Sequence, residues 1–220
     1  MPILAIDTAS RWTALGIYDE ENDKPLVERE WTSAIRQTVE LAPVLKEQLE
    51  LVGLRPSGLT GISVAIGPGS YTGLRIGLGV AQGLAAVHGM PIVGVPTHEI
   101  VAKNIPSSSL PLWVVVEAGR KRVLLSRFSC QEGAWLSHGE IINPTWEELF
   151  ELVTKETLLA GEIPPSIRNQ VEKDSMPFNL IDEKLSQRSP ITLARLGYMQ
   201  IRDKLVPAQE NLTPRYLRNP

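Results

Sequence analysis

The order of its apolar runs constrains this chain more than any single motif. "PILAID", "TALGIYD" and "PLVEREW" read as three strands in quick succession, close enough together to predict an antiparallel meander. A helical stretch follows from Ser33 to Val52, then the buried strand "LTGISVAIG", a helix from Ser70 to His88, and the short strand "PIVGV". A short helix from His98 to Lys103 and the polar link "NIPSSSLP" lead to a second run of three strands, "LWVVVEA", "RVLLSRF" and "AWLSHGEII". The amphipathic "TWEELFELV" comes next, with Thr145 placed to cap it and Glu147 and Glu148 suited to its dipole. "TLLAG" reads as one more strand, residues 162–188 as loop and short helix, and "ITLARLGYMQIRDKL" as a last helix. The same grammar thus occurs twice, which predicts a duplicated α/β architecture with a reduced second copy. The expected lobes are residues 1–107 and 108–220.

With 220 residues, 43% hydrophobic and 21% charged, and a mean hydropathy of −0.04, the chain has apolar material for two small lobes. A net charge of −3 gives no bulk attraction for nucleic acid or an anionic membrane, so RNA contact needs a local basic patch. The one cysteine, Cys130, excludes an intrachain disulfide and fits a reducing cytoplasm. "MPILAIDTAS" lacks a basic leader, which predicts no signal peptide. No apolar stretch approaches the ~20 residues of a bilayer span, so no membrane role is expected.

The strand-to-helix junction "AIGPGSYTGLRIG", Ala65 to Gly77, is the densest local signal. The first N–H groups of a helix lack partners, and its dipole favours negative charge. Gly67 and Gly69 let the backbone approach a ligand closely, and Ser70 or Thr72 can cap the helix. Asp7, ending the first strand, can hold a metal–phosphate or bond its own turn. No Gly-Lys-Ser/Thr follows, so this is not a Walker A loop, and Thr72 stands where the dinucleotide fingerprint has its third glycine. Two readings stay open: a phosphate cradle from Asp7, Gly67, Gly69, Ser70 and Thr72, or a tight turn with a capped helix.

In the helix that follows, Gly73, Gly77, Ala81 and Ala85 recur every fourth residue. Glycine inside a helix costs about 1 kcal/mol relative to alanine, so Gly73, Gly77, Gly79 and Gly83 call for a compensating close approach. Their strip packs either on the chain's own sheet or on a second helix. Counting about 100° per residue, Ile76, Val80, Leu84 and Val87 form the face toward the sheet, with Leu74, Leu78 and Ala81 away from it. In the preceding helix, which contains Pro43, Ile35, Val39, Ala42, Leu45 and Leu49 share one face. Leu41, Val44 and Leu51 lie opposite. Both helices carry more apolar surface than one sheet contact uses, which predicts an intermolecular helix bundle. The expected interface is Leu41, Val44, Gln48, Leu51, Leu74, Leu78, Ala81 and Ala85.

No catalytic set is legible. No two of His88, His98 and His138 stand three or four apart, which excludes a helical metal pair. No G-x-S-x-G elbow or Cys–His arrangement occurs. Arg120, Lys121 and Arg122 sit at a hairpin turn, as a solvated tip or an RNA contact. No catalytic residue, metal or cofactor is assigned.

"ILAIDTAS", "AIGPGSYTGLRIGLGVAQGLA" and "PIVGVPTHEIVA" resemble the bacterial TsaB (YeaZ) family over residues 1–104, and "VVVEAGRKRV" and "PRYLR" extend the likeness loosely. The resemblance implies a duplicated actin-like, sugar-kinase-like ATPase fold (ASKHA, with RNase H-like lobes) whose second lobe is reduced. It implies a non-catalytic subunit required for threonylcarbamoylation of adenosine 37 in tRNAs reading codons that begin with A. It also implies pairing with the catalytic subunit TsaD through the two N-lobe helices, and a homodimer in isolation. TsaE, an ATPase, would join a larger complex, TsaC would act upstream, and tRNA contact would be indirect. TsaD binds a metal through two histidines four apart, and the matching positions here are Thr97 and Val101. "LLAGEIPP" offers Gly161 alone where ATP-binding members of the fold carry paired glycines. On this resemblance the Gly-rich junction is a vestigial phosphate loop. The chain departs from the family at Gln37, where histidine is common, and at Glu117. The competing expectation is a self-standing nucleotide-dependent enzyme or a metalloprotease-like protein of the same fold.

Overall fold

The computed structural model describes residues 1–10, 12–32, 37–206 and 212–215. Strand β1 (Pro2–Asp7) pairs antiparallel with β2 (Trp12–Asp19), and β2 with β3 (Lys24–Thr32), as the short connections require. Helix α1 (Gln37–Leu51) leads to β4 (Gly61–Ala65), and α2 (Tyr71–His88) to β5 (Ile92–Val95). Both strands join in parallel, giving the order β3-β2-β1-β4-β5. Residues 33–36 of the expected first helix, including Ile35, lie outside the described residues.

After α3 (Thr97–Asn104), the strands β6 (Leu112–Glu117), β7 (Val123–Gln131) and β8 (Ala134–Ile142) form the second meander. Helix α4 (Trp146–Leu152) leads to β9 (Thr157–Gly161), and α5 (Pro165–Lys173) to β10 (Phe178–Leu180). The second sheet runs β8-β7-β6-β9-β10 and so repeats the first. Two lobes with this RNase H-like order make the expected ASKHA fold. Thr145 caps α4 in a reciprocal box with Glu148, as its placement predicts. Strand β10 lies in the stretch expected to hold only loop and short helix. Its three residues are too few to show a period.

Alternation along β6 sorts the second core into two layers. Leu112 and Val114 pack with Val101, Ala102 and Ile105 around α3, while Trp113 and Val115 pack with Trp146, Leu149 and Val171 from α4 and α5. Trp113 and Phe178 meet edge to face at 5.8 Å.

The chain divides into two units, the first holding residues 1–97 and 189–215 and the second residues 98–188. This corrects the expected division at residue 107. After α6 (Glu183–Ser186), helix α7 (Pro190–Arg202) returns to the first sheet. Small residues make the approach possible: a Cβ on Gly16 would strike Pro190, and one on Gly197 would strike Ser63. The Ser63 hydroxyl donates to Leu193 O at 2.8 Å. Arg195 lies 4.7 Å over the Tyr18 ring and pairs with Asp23 at 2.8 Å, while the Tyr18 hydroxyl also bonds Asp23. The first sheet is thereby covered by α1 and α2 on one face and α7 on the other. Among the described residues, no helix is long and apolar enough to cross a membrane.

Candidate functional site

The Gly-rich junction closes on the protein itself. Gly67, at φ +101°, turns the chain out of β4, and its carbonyl accepts from Thr97 N at 2.8 Å. Ser70 N donates to Ala9 O at 2.6 Å, and the Ser70 hydroxyl caps α2 by accepting from Gly73 N at 3.2 Å. The Thr8 hydroxyl donates to Gly73 O at 2.7 Å. Asp7 is buried, and its carboxylate accepts from Ala9 N at 2.8 Å. Asp7, Gly67, Gly69 and Ser70 thus gather around the end of β1, while Thr72 points to solvent. In this geometry Ser70 N and Gly73 N are bonded within the protein.

The strip of small residues faces inward. A Cβ on Gly69 would strike Ala9 O, one on Gly73 would strike Thr8 O, and one on Gly77 would strike the Thr8 hydroxyl. The compensating close approach is therefore to the chain's own turn at Thr8 and Ala9, just after β1. Gln37 sits in the same junction, its amide donating to Ser10 O at 2.9 Å and to the Thr13 hydroxyl at 3.0 Å. It ties α1 to the turn that follows β1. Nothing in the structure explains the choice of glutamate at 117, whose N–H donates to Glu162 at 2.8 Å.

Both helices are rotated from the faces expected of them. Leu41, Leu74, Leu78, Ala81 and Ala85 are core residues, so five of the eight expected interface positions offer no free surface. Val44 packs at the edge of the core, Gln48 is half-buried, and Leu51 is exposed but does not line the groove described below. The other side of α2 carries Gly79, Gly83 and Val87, which are exposed, and Ile76, Val80 and Leu84, which are half-buried and pack at the edge of the core. Val87 is 77% exposed, and a Cβ on Gly79 or Gly83 meets nothing within 4 Å. Between α1 and α2 runs an apolar groove of about 400 Å³, lined by Ala42, Leu45, Lys46, Leu49, Val80 and Leu84 with the 53–58 turn beyond. The spacing of Ile76, Val80, Leu84 and Val87 marks a genuine apolar face. What misleads is the assumption that the bulkier face goes inward, when the close fit to the turn after β1 requires the slimmer one.

Thr97 and Val101, the positions matching the metal-binding histidines, are both buried. The Thr97 hydroxyl has no hydrogen-bond partner among the described residues. Among the described residues, no group of three or more His, Cys, Asp or Glu is placed to hold a metal. His98 and Ser126 form a buried pair at 2.9 Å, with the imidazole Nε2 2.8 Å from Leu124 O. Neutral imidazole fits both bonds, donating from Nε2 to the carbonyl and accepting at Nδ1 from the hydroxyl. Burial, with Arg188 adding to it and the Leu124 carbonyl opposing, lowers the His98 pKa to about 4. The pair braces β7 against α3.

In the basic hairpin, Arg122 is engaged by Asn143 O and Glu148, leaving Arg120 and Lys121 at the exposed tip. His88 lies exposed at the end of α2, and His138 bonds the Ser129 hydroxyl on β7. At Gly161 a Cβ would strike Val115 O, so this lone glycine serves the contact between β9 and β6.

The likeness to known proteins agrees with this arrangement. The chain is 30% identical over 146 residues to the Escherichia coli (strain K12) tRNA threonylcarbamoyladenosine biosynthesis protein TsaB, a match covering 64% of this chain and 60% of that protein. It is 27% identical over 225 residues to the Bacillus subtilis (strain 168) protein of the same name, covering 99% of this chain and 94% of that one. The model of the TsaD family, tRNA N6-adenosine threonylcarbamoyltransferase, matches residues 33–179, more than half of the 220. The chain belongs to the TsaD family, in its TsaB (YeaZ) branch. A TsaB-like fold is also seen in a Pseudomonas aeruginosa crystal structure described as similar to peptidase YeaZ. That structure has a TM-score of 0.78 and 21% identity, with 99% of each chain covered.

Proposed function

We propose that this chain serves tRNA threonylcarbamoyladenosine synthesis as a non-catalytic TsaB-type subunit, binding a TsaD-type catalytic subunit through the outward side of α1 and α2. The observation that carries this reading is that side itself. An apolar groove runs beside Gly79 and Gly83, two exposed helical glycines, and among the described residues nothing within 4 Å offsets their cost of about 1 kcal/mol each. Backbone-to-backbone approach by a partner helix supplies the offset, and Val80, Leu84 and Val87 supply the apolar contact. The interface proposed from the structure is therefore Ile76, Gly79, Val80, Gly83, Leu84 and Val87, with Ala42 and Lys46 from α1. The same face pairs two copies when TsaD is absent. TsaE joins the TsaD-bound form, TsaC supplies its activated intermediate upstream, and the assembly works in the cytoplasm.

Support for a non-catalytic role comes from the closed Gly-rich turn, the buried Thr97 and Val101, and the bracing role of His98 with Ser126. Mixing the chain with a TsaD-type subunit should give a 1:1 complex by size-exclusion with light scattering. Val87→Asp should weaken that complex at least tenfold, because a carboxylate would be buried unpaired, while leaving the thermal unfolding of the free chain little changed, since Val87 is 77% exposed there. Turnover of ATP or a peptide by the pure chain, abolished by changing one of its own side chains, would refute the reading.

A further inference from the structure

The segment Leu212–Arg215 makes a set of contacts out of proportion to its length. Leu212 is buried in the core of the first unit. Its carbonyl accepts from the Gln82 side chain of α2 at 3.2 Å. Three residues on, Arg215 N donates to Ile66 O at 2.7 Å, beside the Gly-rich turn. Two glycines make room for the segment. A Cβ on Gly94 of β5 would press on the Leu212 side chain, and one on Gly67 would meet Arg215 O at 3.0 Å. Thr213 and Arg215 face solvent, so the segment is pinned at both ends and open along its outer side.

These pins grip α2 and the turn that launches it. At about 100° per residue, Gln82 stands on the flank of α2 opposite Val80 and Leu84. The segment therefore holds the helix from one side while the groove opens on the other. Among the described residues, one buried leucine and two hydrogen bonds are set against the ordering of four residues, terms of comparable size and opposite sign. A segment so balanced opens without unfolding the lobe.

We propose that Leu212–Arg215 is a reversible latch that fixes the Gly67–Ser70 turn and α2 in the geometry presented to a partner, so that its release loosens this block and weakens association. The first half stands on the contacts alone, and the second rests on the proposed interface. The test uses the full-length chain and hydrogen exchange read by mass spectrometry. Leu212→Asp should lower the protection of amides 66–74 about tenfold or more, with β1, β2 and α7 unchanged, and Leu212→Met should restore it. Wild-type protection at 66–74 in Leu212→Asp would overturn the latch. If that variant unfolds globally, Gln82→Ala decides: a smaller loss at the same amides supports the latch, and no loss overturns it. Affinity for a TsaD-type subunit should fall about tenfold in Leu212→Asp. Unchanged affinity alongside lost protection overturns the coupling. If neither wild type nor variant binds TsaD, it is the proposed function that fails, and the exchange data still judge the latch.

Discussion

Thr97 and His98 are neighbours at the start of α3 that carry opposite lessons about buried polarity. The Thr97 hydroxyl is buried without a hydrogen-bond partner among the described residues, and such a group costs about 1–3 kcal/mol. Thr97→Val should therefore leave stability unchanged or raise it, measured by urea unfolding at pH 7. His98 has both nitrogens bonded and stays neutral because burial lowers its pKa from 6.5 to about 4. Unfolding frees the ring to protonate below pH 6.5. Its contribution to stability is thus full above pH 6.5, declines as pH falls toward 4, and levels off below that. At pH 5 the loss should be about 2 kcal/mol, and His98→Gln should flatten the stability profile between pH 7 and 5 whatever its effect at pH 7. Neither role was legible in sequence. A histidine beside a glutamate says nothing about Leu124 O or Ser126, which reach it from a strand far along the chain.

At the scale of the element, α2 separates two kinds of glycine that look alike in sequence. Gly73 and Gly77 lie against the turn that follows β1, where an added methyl meets Thr8. Gly73→Ala or Gly77→Ala should destabilise the lobe by about 1–3 kcal/mol through overpacking. Gly83 has open space around it, so Gly83→Ala should stabilise the isolated chain by up to about 1 kcal/mol and yet weaken TsaD binding, which calorimetry would read. Opposite signs at Gly77 and Gly83 in chemical denaturation are the expected outcome. Leu78 is buried beside the inward strip, so Leu78→Asp should unfold the lobe rather than report on an interface. The period and ends of α2 followed from sequence alone, while the choice of Ser70 over Thr72 as its cap came from the structure. Its rotation did not, because both sides of the helix carry apolar residues at the same spacing, and only the fit to Thr8 distinguishes them.

For the whole molecule, the decisive feature is the return of α7 to the first sheet. Leu193 and Ala194 are fully buried there, and Ser63, Gly16 and Gly197 provide the shallow seat. A chain ending at Arg188 would leave that face of the sheet bare. It should show no cooperative unfolding transition for the first unit, and exchange protection in β1 and β4 should be lost. The local periods of apolar residues, the turn and cap chemistry and the order of elements were enough to determine every strand but β10, most of the helices and the doubled architecture, since these depend on neighbours along the chain. Which face of each helix turns inward, which unit owns α7, and what the Gly-rich turn packs against were decided only in the folded chain. Each depends on steric fit between segments remote in sequence: Gly77 against Thr8, Gly197 against Ser63, and Gly67 against Arg215.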